Sequence, residues 1–283
     1  MSKVTVIIPC YNTHQYLPLA LDSLAKQTCQ DFKIIIINDG STNQETINYL
    51  AQLPSNIKVI HQTNKGLAAA RNTGFKAADS EYVLPLDCDD YLAPDFVAKM
   101  LARIESAKSK KVFSFSHIHV FGDRQAILPK RYNLFQQLFT NQLPYCLLLP
   151  KVLWAEVGGY DEAMRLGFED WDFNIRLGLS GAQGLEIAEP LFYYRTSSQG
   201  MLYSLSHKHY AQLWAYIQRK HPSVYKITAL LKRRKQWVEQ PCVYSSSLLL
   251  GWYLFHRLTP NTLVNFVFSK LMRFSQVHRL AKN

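Results

Sequence analysis

The stretch LPLDCDDYL, residues 84–92, sets Asp87, Asp89 and Asp90 within four positions after an apolar run. Ionised carboxylates this close repel one another. A folded chain keeps them where a cation or a ligand donor compensates the charge. Oxygen ligands suit a hard divalent ion such as Mg²⁺ or Mn²⁺, and Mg²⁺ is commonly shared between protein carboxylates and substrate phosphates. The cluster reads as a metal–phosphate site. A second acidic pair, Glu169 and Asp170, lies in GFEDWDF (167–173), with Trp171 directly after it. Asp170 suits a general base that deprotonates an attacking alcohol. Trp171 offers either a flat face for a sugar ring or a core side chain. Lys65, Arg71 and Arg195 stand beside these segments. Each suits either a diphosphate contact or a surface charge. Asp39, in NDGST (38–42), can accept a nucleobase N–H or close an Asx-turn, and its position does not separate the two.

These groups need elements to hold them. KVTVIIP (3–9), IIII (34–37), KVIHQ (58–62) and YVLPLD (82–87) read as strands. The wholly apolar second run fits a strand buried on both faces. Residues 15–27, with Leu17, Leu21 and Leu24, and GLAAARNTGFKAA (66–78) read as intervening helices. Ser41 or Thr42 is placed to cap a helix after the second strand. Strands alternating with helices imply βαβ units and a mainly parallel sheet. Ligands bind such sheets outside the carboxyl ends of the strands. Pro9, Tyr11, Asn12, Asp39 and Asp87–Asp90 all fall there. Further on, 112–122 alternates like a strand. Residues 150–162 form a short helix stopped by Gly158 and Gly159, and 167–181 form a helix opening with acids.

The charge is unevenly placed. Residues 1–200 carry 19 Lys and Arg against 20 Asp and Glu, whereas 201–283 carry 13 Lys and Arg against Glu239 alone. That last third is helical in pattern, with Tyr210, Leu213, Trp214 and Ile217 at one-face spacing. Its longest apolar run, SLLLGWYLF (247–255), is too short to span a bilayer. No nucleic-acid-binding motif accompanies the charge, so no nucleic-acid partner is expected. An anionic membrane surface and a solvated helical face both remain open for 205–283. Five cysteines without metal spacing read as free thiols in a reducing compartment. No signal peptide is visible, which points to a cytoplasmic protein, peripheral on the inner face of the membrane if the tail meets lipid.

Five segments in order, VIIPCYN (6–12), IIIINDGST (34–42), NKGLAAARNTG (64–74), LPLDCDD (84–90) and GGYDE with GFEDWDF (158–173), resemble the family 2 glycosyltransferases of GT-A fold. The resemblance covers roughly residues 3–200. It implies an α/β fold with a Rossmann-like, mainly parallel sheet flanked by helices. A transferase domain would occupy 1–204, nucleotide-binding over 1–95 and acceptor-binding over 96–204, with a basic helical extension at 205–283. It implies inverting transfer of a sugar from a nucleotide-diphosphate donor, most often a UDP-sugar. The acceptor would be a hydroxyl of a glycan or lipid-linked intermediate, in polysaccharide or glycolipid synthesis. The implied cofactor is Mn²⁺ or Mg²⁺. Pro9, Tyr11 and Asn12 would line the nucleotide pocket, Asp39 would bind the base, and Arg71 would face the nucleotide. Asp87 would sit near the ribose. Asp89 would bind the metal with Asp90 in support. Asp170 would be the catalytic base, with Glu169 and Trp171 toward the acceptor. Many relatives carry a His shortly after a Tyr-Arg pair. FYYRTSSQGMLYS (192–204) has none, which leaves Arg195 as the diphosphate contact. A non-catalytic nucleotide-sugar-binding scaffold is the alternative. A dinucleotide oxidoreductase is disfavoured, because PCYN stands where GxGxxG belongs.

Overall fold

The structure is a computed structural model. It describes residues 2–197, 200, 205–237 and 244–280, the side chains of 272–280 excepted. The first elements alternate: β1 (Val4–Cys10), α1 (Leu17–Ala25), β2 (Phe32–Asp39), α2 (Gln44–Ala51), β3 (Ile57–Gln62), α3 (Leu67–Ala77) and β4 (Tyr82–Pro85). Then come β5 (Tyr91–Leu92), α4 (Phe96–Glu105), β6 (Val112–Gly122), β7 (Ala126–Leu128), α5 (Leu134–Gln137), β8 (Leu149–Pro150), α6 (Lys151–Glu156), α7 (Glu169–Leu179) and β9 (Gln183–Thr196). The chain closes with α8 (Tyr210–Lys220), α9 (Ile227–Trp237), α10 (Ser246–Leu258) and α11 (Asn261–Leu280). They form two compact units. One comprises residues up to Tyr132 with Asn141–Arg165 and Glu169–Thr196; the other comprises Asn133–Thr140, Leu166–Phe168 and the chain from Ser197 onward.

The first unit holds two sheets. The larger has the order β3-β2-β1-β4-β8, parallel except for the β4–β8 pair. The isoleucine run explains β2. Ile36 faces a core with Leu17, Leu24 and Leu50, while Ile35 and Ile37 face a second core with Phe75 and Ala68. A strand with apolar cores on both sides must be wholly apolar. Gly74 lets α3 lie close on β1, because a Cβ there would stand 2.9 Å from Ile7 Cβ. The smaller sheet has the order β5-β9-β6-β7, with β6 and β9 parallel.

The cap of α2 falls just after Ser41 and Thr42, at Asn43. Asn43 Oδ1 accepts from Thr46 N at 2.8 Å. The Ser41 and Thr42 hydroxyls already accept from Asn12 N and Asn12 Nδ2, so the next polar side chain takes the role.

In the second unit, Tyr210, Leu213, Trp214 and Ile217 are all buried, as their spacing requires. Trp214 meets Phe139 of this unit and Tyr253 and His256 of α10. No helix among the described residues is long and apolar enough to cross a membrane. The four described cysteines are free thiols; Cys242 lies outside the described residues.

Candidate functional site

The larger sheet reverses its strand order at β1, with β2 and β3 on one side and β4 on the other. That switch point is where open α/β sheets hold ligands. Pro9 is buried inside β1, opposite Ile37, and Tyr11 beyond it is exposed. Asn12 has φ 56°, a left-handed conformation that asparagine tolerates. Its Oδ1 accepts from Thr42 N at 2.8 Å and Asn43 N at 2.9 Å, and its own N–H donates to Ser41 Oγ at 3.0 Å. One side chain thus joins the loops after β1 and β2.

Asp39 is buried and takes three donors from the end of β3 and the segment after it: Gln62 Nε2 at 2.6 Å, Lys65 N at 2.9 Å and Gly66 N at 2.8 Å. The turn bond anticipated for it is made by Asn38, whose Oδ1 accepts from Ser41 N. Lys65 contributes its backbone here, and its side chain is exposed.

Arg71 does not face an open pocket. It is 1 % exposed. Nη2 donates to both oxygens of Asp87 at 2.8 Å, and Nη1 donates to Glu169 Oε1 at 2.7 Å. Its guanidinium also lies 4.6 Å from the Tyr145 ring centroid and 5.5 Å from that of Tyr160. Burial works against the charge, but Asp87 and Glu169 hold the guanidinium above its ordinary pKa. The nucleotide-facing role implied for Arg71 gives way to a bridge between two acidic segments, because its η nitrogens are taken by carboxylates.

The three acids of the β4 turn have three environments. Asp87 is held by Arg71, and its N–H donates to Tyr145 Oη at 2.8 Å. Asp90 is fully buried. One of its oxygens accepts from Tyr145 Oη at 2.5 Å and the other from Arg195 N at 2.7 Å. Asp89 is half-buried, and burial followed by the nearby Asp87 charge pushes its pKa up to about 6. Arg195 Nε donates to Asp89 O at 3.0 Å, and its guanidinium lies over the rings of Tyr16 and Phe121 at 4.9 and 4.5 Å. Cys88 is buried between these acids. The Cys10 thiol, burial and Asp89 all push its own thiol upward, which disfavours its thiolate.

Glu169 and Asp170 open α7 and turn to different partners. Glu169 is buried against Arg71. Asp170 Oδ2 accepts from Asn141 Nδ2 at 2.7 Å and Oδ1 from Trp171 N at 2.7 Å. Burial raises the pKa of both, with Arg71 acting against it. Trp171 is 1 % exposed and presents no face to a sugar, so the acceptor role anticipated for it becomes packing. Glu169, spent on Arg71, likewise has an internal partner.

Asp87, Asp89, Asp90, Glu169 and Asp170 are balanced by Arg71 and Arg195 alone among the contacts above, which leaves an excess of negative charge. Burial is the largest cause of the raised pKa values of Asp89, Asp90, Glu169 and Asp170, and neighbouring carboxylates add to it. A divalent cation at Asp89 fits the excess charge. Among the described residues no three His, Cys, Asp or Glu side chains converge as a complete cage, so a cation here would take further oxygens from a ligand.

Tyr145, Asn141, Tyr16 and Phe121 escaped the sequence reading. Tyr145 holds two acids of the β4 turn and supports Arg71, yet QLPYCLLLP carries no charge or motif to flag it.

Comparison with known proteins agrees with this architecture. Residues 5–172 match the family model described as glycosyl transferase family 2. The chain is 33 % identical over 155 residues to the glycosyltransferase GlyA of Streptococcus pneumoniae, half of this chain and 22 % of GlyA. It is 28 % identical over 187 residues to an uncharacterized glycosyltransferase of Haemophilus influenzae, 62 % of this chain and 61 % of that protein. The chain therefore spans less than two thirds of either relative. Among solved structures, S. aureus TarS 1–349 in complex with UDP-GlcNAc superposes with a TM-score of 0.65 at 21 % identity, over 83 % of this chain and 73 % of that one. The chain belongs to glycosyl transferase family 2, and its fold is GT-A.

Proposed function

We propose that this protein transfers a sugar from a nucleotide-diphosphate donor to a hydroxyl acceptor with inversion at the anomeric carbon. The observation that carries this reading is the Arg71 bridge. One buried guanidinium ties Asp87, in the turn that holds Asp89, to Glu169, the neighbour of Asp170. In this reading the bridge holds the donor-side and base-side groups in one frame, which is what a displacement between two bound substrates requires.

Asp89 would hold the divalent cation, Mn²⁺ or Mg²⁺, with Asp90 acting indirectly through Tyr145 and Arg195. The cation would offset the charge that develops on the departing diphosphate. Arg195, seated on Tyr16 and Phe121, would neutralise a diphosphate oxygen. Tyr11 and Asn12 would border the nucleotide, Asp87 the ribose, and Asp39 would accept a nucleobase N–H with its remaining lone pairs. The UDP-GlcNAc complex of TarS supports a UDP-sugar as donor. Asp170, steadied by Asn141 and Trp171 N, would accept the proton as the acceptor oxygen bonds to the anomeric carbon and the bond to the diphosphate breaks. The acceptor in this reading is a glycan or lipid-linked hydroxyl.

Thermal melts with UDP, with and without Mn²⁺, combined with UDP release from UDP-sugars, test the assignment. Asp89→Ala should lose the Mn²⁺-dependent rise in melting temperature and all turnover. Asp170→Ala should keep that rise and lose turnover. Full turnover in both variants would sink the mechanism.

A further inference from the structure

No residue named in the site above lies in the basic C-terminal helices, and their surface is unusual. One side of α10 is packed: Leu249, Tyr253 and His256 are buried, Tyr253 Oη donates to Tyr225 O at 2.6 Å, and His256 Nε2 donates to Ala211 O at 2.9 Å. The opposite side is also apolar, yet Leu248, Leu254 and Leu258 are 60, 45 and 82 % exposed. A helix apolar on both sides belongs within a protein or against lipid. α11 repeats the pattern. Val264 is buried and Asn265 Oδ1 accepts from Ala211 N at 2.8 Å, while Leu263, Phe266 and Leu271 are exposed. Tyr210 and Ala211 of α8 touch both helices, through Trp252 and His256 on one and Asn265 and Phe268 on the other. Both helices therefore seat one side on α8, and Leu254 and Leu258 of α10 and Leu263 and Phe266 of α11 lie on the side away from it.

Charge selects the occupant. Residues 244–271 contain no acid, while Arg257 and Lys270 are exposed beside the leucines. The Lys270 ammonium lies 5.4 Å from the Phe266 ring centroid. A second copy of the chain would bring this positive charge against itself. An anionic lipid surface would complement it and accept the leucines. No described helix is long and apolar enough to cross a bilayer, which fits helices lying in the interface.

We propose that the outer face of α10 and α11 anchors the protein to an anionic membrane surface. Leu248, Leu254, Leu258 and Phe266 enter the headgroup–acyl boundary, and Arg257 and Lys270 meet headgroup phosphates. This inference is independent of the transferase reading, since no residue of the site takes part.

The test is co-sedimentation of the full chain with vesicles. One set holds phosphatidylcholine alone, the other equal parts of phosphatidylcholine and phosphatidylglycerol. The protein should sediment with the anionic vesicles. Leu254→Glu with Leu258→Glu should weaken that binding at least about tenfold, because interfacial affinity follows inserted apolar area and anionic attraction. Both side chains are exposed, so the melting temperature should be unchanged. Arg257→Glu with Lys270→Glu gives a second, charge-based variant that should also weaken binding. Val152→Glu, at an exposed apolar position in the other unit, should leave binding intact. Failure of the unaltered protein to bind anionic vesicles, or equal binding by both double variants, would overturn the proposal. So would a dimer in light scattering that the leucine variant dissociates without any vesicle binding, since that assigns the face to self-association.

Discussion

Arg71 joins two acidic segments of the site through one buried side chain. An arginine so deeply buried is costly unless its charge is matched, and here two carboxylates and two aromatic rings match it. Its planar fork reaches Asp87 and Glu169 at once, a geometry that a lysine ammonium cannot copy. Arg71→Lys should therefore lower stability by about 3 kcal/mol, near the lower end of the range for breaking a buried pair. Urea unfolding measures that loss, and unchanged stability would show that the bridge is not what holds the two segments. Tyr145→Phe is the milder case. It removes the donor to Asp90 and the acceptor for Asp87 N, and should cost about 1–3 kcal/mol while leaving the ring under Arg71. The contrast between these residues shows what a sequence reveals. Asp87, Asp89 and Asp90 are legible because three charges in four positions are improbable without a purpose. The cationic character of Arg71 is legible too, but not the direction in which it points. Tyr145 is silent, because its role exists only once Asp87 and Asp90 fold against it.

At the scale of elements, the alternation of β1 to β4 with α1 to α3 follows from short apolar runs and helical spacing, and the structure has all of it. The β5-β9-β6-β7 sheet was not legible. The β6–β9 pairing joins Val112 to Gln183 and Gly122 to Thr196, so its partners lie about seventy residues apart, beyond any local pattern. The cap of α2 shows the same limit on a smaller scale. Ser41, Thr42 and Asn43 are all competent caps, and the bonds from Asn12 decide among them. The packing of α3 on β1 offers a clean test, because propensity and packing disagree there. Alanine is favoured over glycine within a helix by up to about 1 kcal/mol. At Gly74, however, the added methyl would stand 2.9 Å from both Cβ and Cγ2 of Ile7. Overpacking of this kind costs about 1–3 kcal/mol. Gly74→Ala should thus lower stability despite the better helix former, and calorimetry showing an equal or higher melting temperature would refute the close-packing account.

Across the whole molecule, charge is divided between an acidic site in one unit and a basic surface in the other, and the acidic site should govern how stability responds to pH. In the metal-free protein, burial and Asp87 move Asp89 from 3.8 to about 6. A carboxylate with a raised folded-state pKa keeps a proton that the unfolded chain has already released. Its stabilising effect is therefore complete at acid pH and is lost as pH rises through the folded value. His256 acts in the opposite direction, because burial lowers its pKa and its ionisation on unfolding favours the unfolded chain at acid pH. Comparing the unaltered protein with Asp89→Asn cancels the His256 contribution. The two should melt at similar temperatures near the lower end of the window, around pH 4. Above pH 6 the variant should become the more stable, by up to about 3 kcal/mol for a shift of roughly two units. Mn²⁺ with UDP should reverse the order, raising the melting temperature of the unaltered protein through preferential binding to the folded state and leaving Asp89→Asn behind. A difference that stays constant with pH would mean that Asp89 is not the strained acid of the site. A variant that responds to Mn²⁺ and UDP as fully as the unaltered protein would move the cation away from Asp89.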